Sequence, residues 1–552
     1  MRRILLAAML SMAPLQFVFA AGTPPQLLLG DLHYGYTPPS IRGPHRLVML
    51  SGMGNDHMRV DTSKPEAQRW FDYALTLARA FEHGDAKLAF EKAASLDPSC
   101  SLCVWGEAYS LGPTINFLVD RDQSTAALAL ARHAQRLAGP NLSPEERRLE
   151  SAMIDRYAHT GDSGDGDRSY ARDLDQMLRD DPANLELTIF DAEAWLIMEF
   201  HDDRASLRRV VARMGPLVRA HPDYTGLLHF YIHATEDAEE PQLAEIYAPR
   251  LAALCPNASH LVHMPAHTEY RVGRYEEAAL TNIAALKADA VYAEKTDTPT
   301  PLGRLMYHFH DAQFGVAAAM MAGDGPIALR MIDQFNRDFP DPATYDNRSL
   351  MAAGLMYAGF GRFAPPQDVL AAPEAPASKP FLVAMRHYAR GEAFARLGNA
   401  AAVRREAQAT RLRSGSSVGS GNSLFPTTVR IAQLVLNGRA DSLVADFKGA
   451  ALSYRAAADL EDSRFGQDGD PPRWWYPVRR SLAAALLAQG DAKAAEREAD
   501  AVLKTWKLDP VTLAIRSKAE ESLKDPRAQL DWNAALHNWH GDPRQLTPAP
   551  LS

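Results

Sequence analysis

The segment His229-Phe-Tyr-Ile-His233-Ala-Thr-Glu236 is echoed further along the chain by His263-Met-Pro-Ala-His267-Thr-Glu-Tyr270. Both histidines and the residue that closes each segment move by the same 34 positions. A fixed interval of that size marks a chain built from stacked helix–turn–helix units, none of which can bury its apolar face alone. No other feature constrains the fold as much. A chain of 552 residues is too long for one ordinary core but suits a quasi-linear stack.

The clearest unit runs from Ala67 to Cys100. With Pro98 at repeat position 32, Trp70 falls at 4, Ala74 at 8, Ala86 at 20, Phe90 at 24 and Ala93 at 27. Alternating small and large residues at these slots let two antiparallel helices pack closely and turn. Leu77 stands where position 11 usually holds a tyrosine. Ser63-Lys-Pro65-Glu66 predicts a capping box with proline in the first turn. The turn proline recurs at Pro182, Pro222 and Pro256, the last two again 34 apart. Gly273 to Ala278, Gly323 with Ala328, and Gly490 with Ala495 fill the inter-helix turn of further units. Strand patterns are essentially absent, so the expected fold is an all-α solenoid of helical hairpins wound as a right-handed superhelix.

Arg2-Arg3, an apolar run from Ile4 to Phe19, and the small residue Ala20 read as a Sec-type signal peptide. The mature chain is therefore expected in the periplasm or secreted, with no transmembrane anchor, since no later apolar run has spanning length. Net charge is −9 with both signs well mixed, and the absence of a basic stripe argues against nucleic acid. Of three cysteines, Cys100 and Cys103 read as a local disulfide or two free thiols, leaving Cys255 over; no βαβ pattern supports a redox role. Composition shifts at 364–380 (Pro/Ala) and 414–423 (Gly/Ser) divide the chain. The expected layout is a signal peptide at 1–20, an irregular segment at 21–62 and an N-terminal array at 63–340. An irregular middle at 341–425, a C-terminal array at 426–540 and a tail at 541–552 follow.

Several segments are more specific than a generic repeat: Ala80-Phe-Glu-His83, Leu96-Asp-Pro-Ser-Cys100-Ser-Leu-Cys-Val-Trp105-Gly-Glu-Ala108, Gly112-Pro-Thr-Ile-Asn116, His260-Leu-Val-His-Met-Pro-Ala-His267 with Arg271-Val-Gly-Arg-Tyr275, and Trp475-Tyr-Pro-Val-Arg479. Through them most of the mature chain resembles a family of exported bacterial tetratricopeptide-repeat (TPR) proteins. The resemblance implies the fold and export, and no activity. It also implies a histidine where this chain has Gln313, a departure from the pattern.

In the repeat frame His229 and His263 both take position 5, His233 and His267 position 9, and Glu236 and Tyr270 position 12. Glu193 takes position 9 of an earlier unit, His260 and His310 position 2, and Gln313 position 5. The resemblance implies that these positions face a concave groove. Side chains four apart on a helix lie about 5–6 Å apart at Cβ, and packed helices about 8–10 Å apart. Two such pairs on neighbouring helices therefore bring four imidazoles toward one point, with Glu236 as acidic partner. Glu193, His260, Tyr270, His310 and Gln313 would stand around them. Neutral imidazoles with a carboxylate suit zinc, copper, iron or nickel. The zinc-protease motif is not met, because Phe230 stands where its glutamate would follow the first histidine.

The Asp56-His57 pair is expected in an exposed loop, and His83 at a helix cap. Glu107 and Asn116 are candidates for the groove's N-terminal end. Trp474-Trp475-Tyr476 is expected as the buried start of the C-terminal array, with a peptide platform as the other reading. The leading functional expectation is a non-enzymatic binding or assembly protein presenting its groove to a peptide, protein or small ligand. The alternative is a transition-metal protein, or a metal-dependent hydrolase or oxidoreductase, using the four histidines. No cofactor other than such a metal is expected.

Overall fold

The computed structural model describes residues 46–546 except 118, 141, 159–163, 199–203, 413–423 and 466–471. The expected signal peptide, the second half of the tail and the Gly/Ser-rich stretch lie outside the described residues. Among those described there is no strand, only an isolated bridge between Thr114 and Phe117. Helices follow one another along the chain, and each packs chiefly on its neighbours in sequence. The protein is an all-α solenoid. No described helix is long and apolar enough to cross a membrane.

The first hairpin shows how the repeat slots work. Helices Pro65–Arg79 and His83–Leu96 pack antiparallel, with Ala67, Ala74, Ala86 and Ala93 fully buried between them. Phe71 meets Phe90 edge-on, ring centroids 5.2 Å apart. Burying rings of this size contributes about 1.5–3 kcal/mol each. The next helix, Ser101–Ser110, crosses so closely that a Cβ on Gly106 would lie 2.3 Å from the Phe90 ring. Glycine is required there by space, and Gly106→Ala would force the hairpin apart.

Three local expectations are corrected. The capping box at Ser63 does not form: Lys64 is the N-cap without side-chain capping, and Thr62 Oγ1 accepts from the Lys64 N–H at 3.1 Å. His83 is not a cap but the buried first residue of its helix. The middle stretch, expected to be irregular, holds helices Asn347–Phe363, Pro366–Ala371, Pro380–Arg396 and Ala400–Ala409. Pro366 and Pro380 occupy helix first turns, where the missing N–H would have had no partner anyway. Composition alone mistook helix starts for linker.

Cys100 and Cys103 are joined as a disulfide, and Cys255 is a buried free thiol. Trp474, Trp475 and Tyr476 are buried. The apolar interior forms two large clusters, one drawn mainly from residues 53–264 and the other from residues 266–519. Phe81 of the first and Phe314 of the second both pack on imidazole rings. The histidines sit at the seam.

Candidate metal centre

Four helices supply the histidines. Thr225–Asp237 carries His229 and His233, Ser259–His263 carries His260 and His263, Pro265–Val272 carries His267, and His308–Ala322 carries His310. Pro265 divides the helix of the second pair: Met264 keeps helical φ −50° and ψ −38°, and Pro265 opens the next segment. The pair still spans one helical turn. All but His310 are buried, and His310 is half-buried.

The structure does not gather the four predicted imidazoles at one point. It sorts six into two triads, His229, His233 and His260 joined by nitrogen contacts, and His263, His267 and His310 joined at His310 by ring contacts alone. In the first, His229 Nε2 lies 3.1 Å from both His233 Nε2 and His260 Nε2. His229 Nδ1 lies 2.6 Å from the Arg79 carbonyl oxygen. A carbonyl only accepts, so His229 Nδ1 carries the hydrogen and its Nε2 presents a lone pair. One lone pair cannot accept from two neighbours at once, and His260 Nδ1 is buried without a partner. Hydrogen bonding within the protein therefore leaves this triad unsatisfied. Three imidazole nitrogens around a tetrahedral zinc at about 2.0–2.1 Å would stand about 3.3 Å from one another, close to the spacing found.

In the second triad, His263 Nε2 and His267 Nε2 are 2.9 Å apart. The His310 ring lies 4.8 Å from the His263 ring and 6.4 Å from the His267 ring. His233 and His267, one from each triad, have ring centroids 5.4 Å apart.

Burial keeps His229, His233, His260 and His263 neutral. It pushes His229 down to about 3 against the opposing Arg79 carbonyl. His233, His260 and His263 are driven well below the ordinary histidine range, by burial first and then by neighbouring imidazoles. Neutral imidazole is the metal-ligating form. Glu236 takes a supporting place rather than the predicted ligand place. One oxygen accepts from His267 Nδ1 at 2.6 Å, the other from Arg271 Nε at 2.6 Å. Against its burial, these two partners hold the carboxyl far below the usual carboxylate range. Burial raises Asp311 to about 6, with a hydrogen bond from His310 opposing.

The other predicted residues separate. Glu193 turns to Tyr109, whose hydroxyl donates to it at 2.6 Å. Tyr270 packs on Phe314 at 5.4 Å and Trp506 at 6.1 Å, beyond the imidazoles. Gln313 is buried on the His310 helix. His57 is exposed against Asp72, whereas Asp56 is buried and accepts from Arg79 and from the Gly226 N–H. Asn116 reaches the Tyr307 hydroxyl at 3.2 Å, and the Tyr307 ring lies 4.7 Å from His260. Burial first and then Glu91 raise Glu107 to about 7.

Sequence reasoning missed Phe81, Arg79, Tyr307, Asn282 and Phe314 as the cluster's surroundings. Phe81 stacks on His260 at 4.6 Å from a left-handed backbone, φ 61°. Such a conformation in a bulky residue is uncommon and gathers at functional sites. The Ala80-Phe-Glu-His83 segment was visible in the sequence, but nothing in it reported a positive φ.

No family model matches this chain, and no curated protein matches it either. Solved structures do align. The human IFIT1 dimer with m7Gppp-AAAA is 13% identical over 87% of this chain and 91% of its own, TM-score 0.30. Naa15/Naa10 bound to HypK-THB is 12% identical over 86% and 70%, TM-score 0.23. The P58(IPK) TPR domain is 12% identical over 83% and 98%, TM-score 0.20. The site rests on this chain's own geometry.

Proposed function

We propose that this chain is an exported transition-metal-binding α-solenoid whose ion is held by His229, His233 and His260. One observation carries the reading. The His229 Nε2 lone pair, fixed by the Arg79 carbonyl, lies 3.1 Å from a buried nitrogen of His233 and 3.1 Å from one of His260, and all three nitrogens lie within 4.8 Å of one another. A cation satisfies all three at once, where hydrogen bonds cannot. The three-nitrogen set suits zinc or copper and leaves a coordination position open. Burial on every side favours retaining an ion over exchanging substrates on it. The scaffold reading has the repeat architecture in its favour, but no residue-level observation comparable to this convergence.

Elemental analysis of untagged mature protein tests the proposal. Near-stoichiometric zinc or copper is expected, with loss from this triad in His233→Ala and His260→Ala. Protein that purifies metal-free and fails to take up either ion after chelation and reloading would end the metal reading. The scaffold would then stand alone.

A further inference from the structure

We propose that Phe81 is a positioning residue for the ion held by His229, His233 and His260, its ring setting the imidazoles in the orientation that binds metal. The inference rests on that triad being a metal site. It starts from the backbone. With Ala67 opening the first unit, Phe81 takes repeat position 15, the slot that Gly273 and Gly323 hold in later units. The turn between paired helices imposes a positive φ there: 92° at Gly273, 74° at Gly323 and 63° at Glu239, which fills the slot after the His229 helix. Glycine takes that conformation at no steric cost, and a bulky side chain does not. Phe81 takes it at φ 61° and is 1% exposed. The five other non-glycine residues with positive φ among those described are all exposed. The fold therefore keeps a buried phenyl ring where glycine would serve the turn best.

That ring meets every member of the triad. Its centroid lies 4.6 Å from His260, 4.7 Å from His229 and 6.1 Å from His233, stacked on the first and last and edge-on to His229. The triad needs such a contact most at His260. His229 is turned by its Nδ1 bond to the Arg79 carbonyl, whereas His260 Nδ1 is buried with no partner. No hydrogen bond behind His260 sets its rotation, so packing has to. Phe81 supplies it at an interplanar angle of 27°. Tyr307, 4.7 Å away, adds a second wall, its hydroxyl accepting from Asn116 Nδ2 at 3.2 Å. Outer contacts that fix a ligand's orientation before the ion arrives are typically worth about 10–100-fold in metal affinity. Arg79, whose carbonyl fixes His229, stands two residues before Phe81. One turn thus orients two of the three ligands.

Copper(II) is the probe. Full-length mature protein, untagged and stripped by chelator, is titrated with copper(II) in competition with a chelator of known affinity, and its electron paramagnetic resonance spectrum is recorded. Phe81→Leu keeps apolar bulk but loses the flat ring. Phe71→Leu is the control, since Phe71 is as buried in the same hairpin and packs on Phe90. Both variants should melt lower than the unaltered protein. Only Phe81→Leu should bind copper(II) about 10–100-fold more weakly and shift the copper spectrum. Circular dichroism checks that each variant is folded at the titration temperature, and Phe81→Met stands in where Phe81→Leu is not. Unchanged affinity and spectrum in the folded Phe81 variant overturn the positioning role and leave the triad. An equal loss in Phe71→Leu overturns it too, because affinity would then follow stability alone. An imidazole site that takes zinc takes copper(II) more tightly, so unaltered protein that binds no copper(II) overturns the triad and this role together.

Discussion

The chemistry of single residues turns on which nitrogen of each histidine is free. His267 is the clearest case, because Glu236 fixes its Nδ1 while Arg271 holds the second carboxylate oxygen. At this scale the sequence placed His229, His233, His263 and His267 in matching helical slots. It could not show that His260 is central or that Glu236 is supporting. Those roles depend on rotamers, set by neighbours distant in sequence such as Arg79.

Elements are tied together by buried charge. Arg79, fully buried at the end of its helix, pairs with Asp56 at 2.9 Å and Glu186 at 2.7 Å. Asp56 also accepts from the Gly226 N–H at 3.1 Å, which pins the N-terminal segment over the start of the His229 helix. Breaking such a buried pair from one side costs about 3–5 kcal/mol. Asp56→Ala should lower stability by that amount in urea unfolding, and a change below about 1 kcal/mol would show that the clamp carries no weight.

His308 ties three further helices. It lies between Asp289 at 2.8 Å and Asp338 at 2.9 Å. Against the opposing effect of burial, its hydrogen bonds to these carboxylates raise it from 6.5 to about 9. A raised histidine stabilises fully below its unfolded value and loses that contribution as pH climbs. About 3 kcal/mol should thus be present below pH 6.5 and fade through about pH 9. Thermal melts of the unaltered protein should show that alkaline loss, and His308→Gln should flatten it. Equal slopes in both proteins would contradict the pairing. The sequence marked His308 as nothing special, since its two partners lie 19 and 30 residues away.

Over the whole molecule the solenoid returns on itself. Tyr275 Oη donates to the Lys507 carbonyl at 2.9 Å. Gly273, at φ 92°, passes so close that a Cβ there would lie 2.2 Å from the Lys507 carbonyl oxygen. Buried Arg480 pairs with Asp509 at 3.1 Å. The histidine seam lies between the two apolar clusters, so an ion bound there would brace both halves. Binding to the folded state alone stabilises by about 2.7 kcal/mol at a hundredfold excess over Kd. Removing the metal should lower the melting temperature, and adding copper(II) back should restore it in the unaltered protein but not in His260→Ala. A melting temperature indifferent to metal in the unaltered protein would refute the bracing role.

The sequence by itself determined the all-α repeat and the helical slots of the paired histidines, because helix periodicity and the 34-residue interval are local properties of the chain. It also carried the burial of Trp474, Trp475 and Tyr476. Tertiary structure decided the rest: the split into two triads, the recruitment of His260 and His310, and the departure of Glu193 to Tyr109. The reason is physical. A repeat frame fixes the face on which a side chain emerges. The direction of a lone pair is fixed only by the acceptor that the folded chain places behind it.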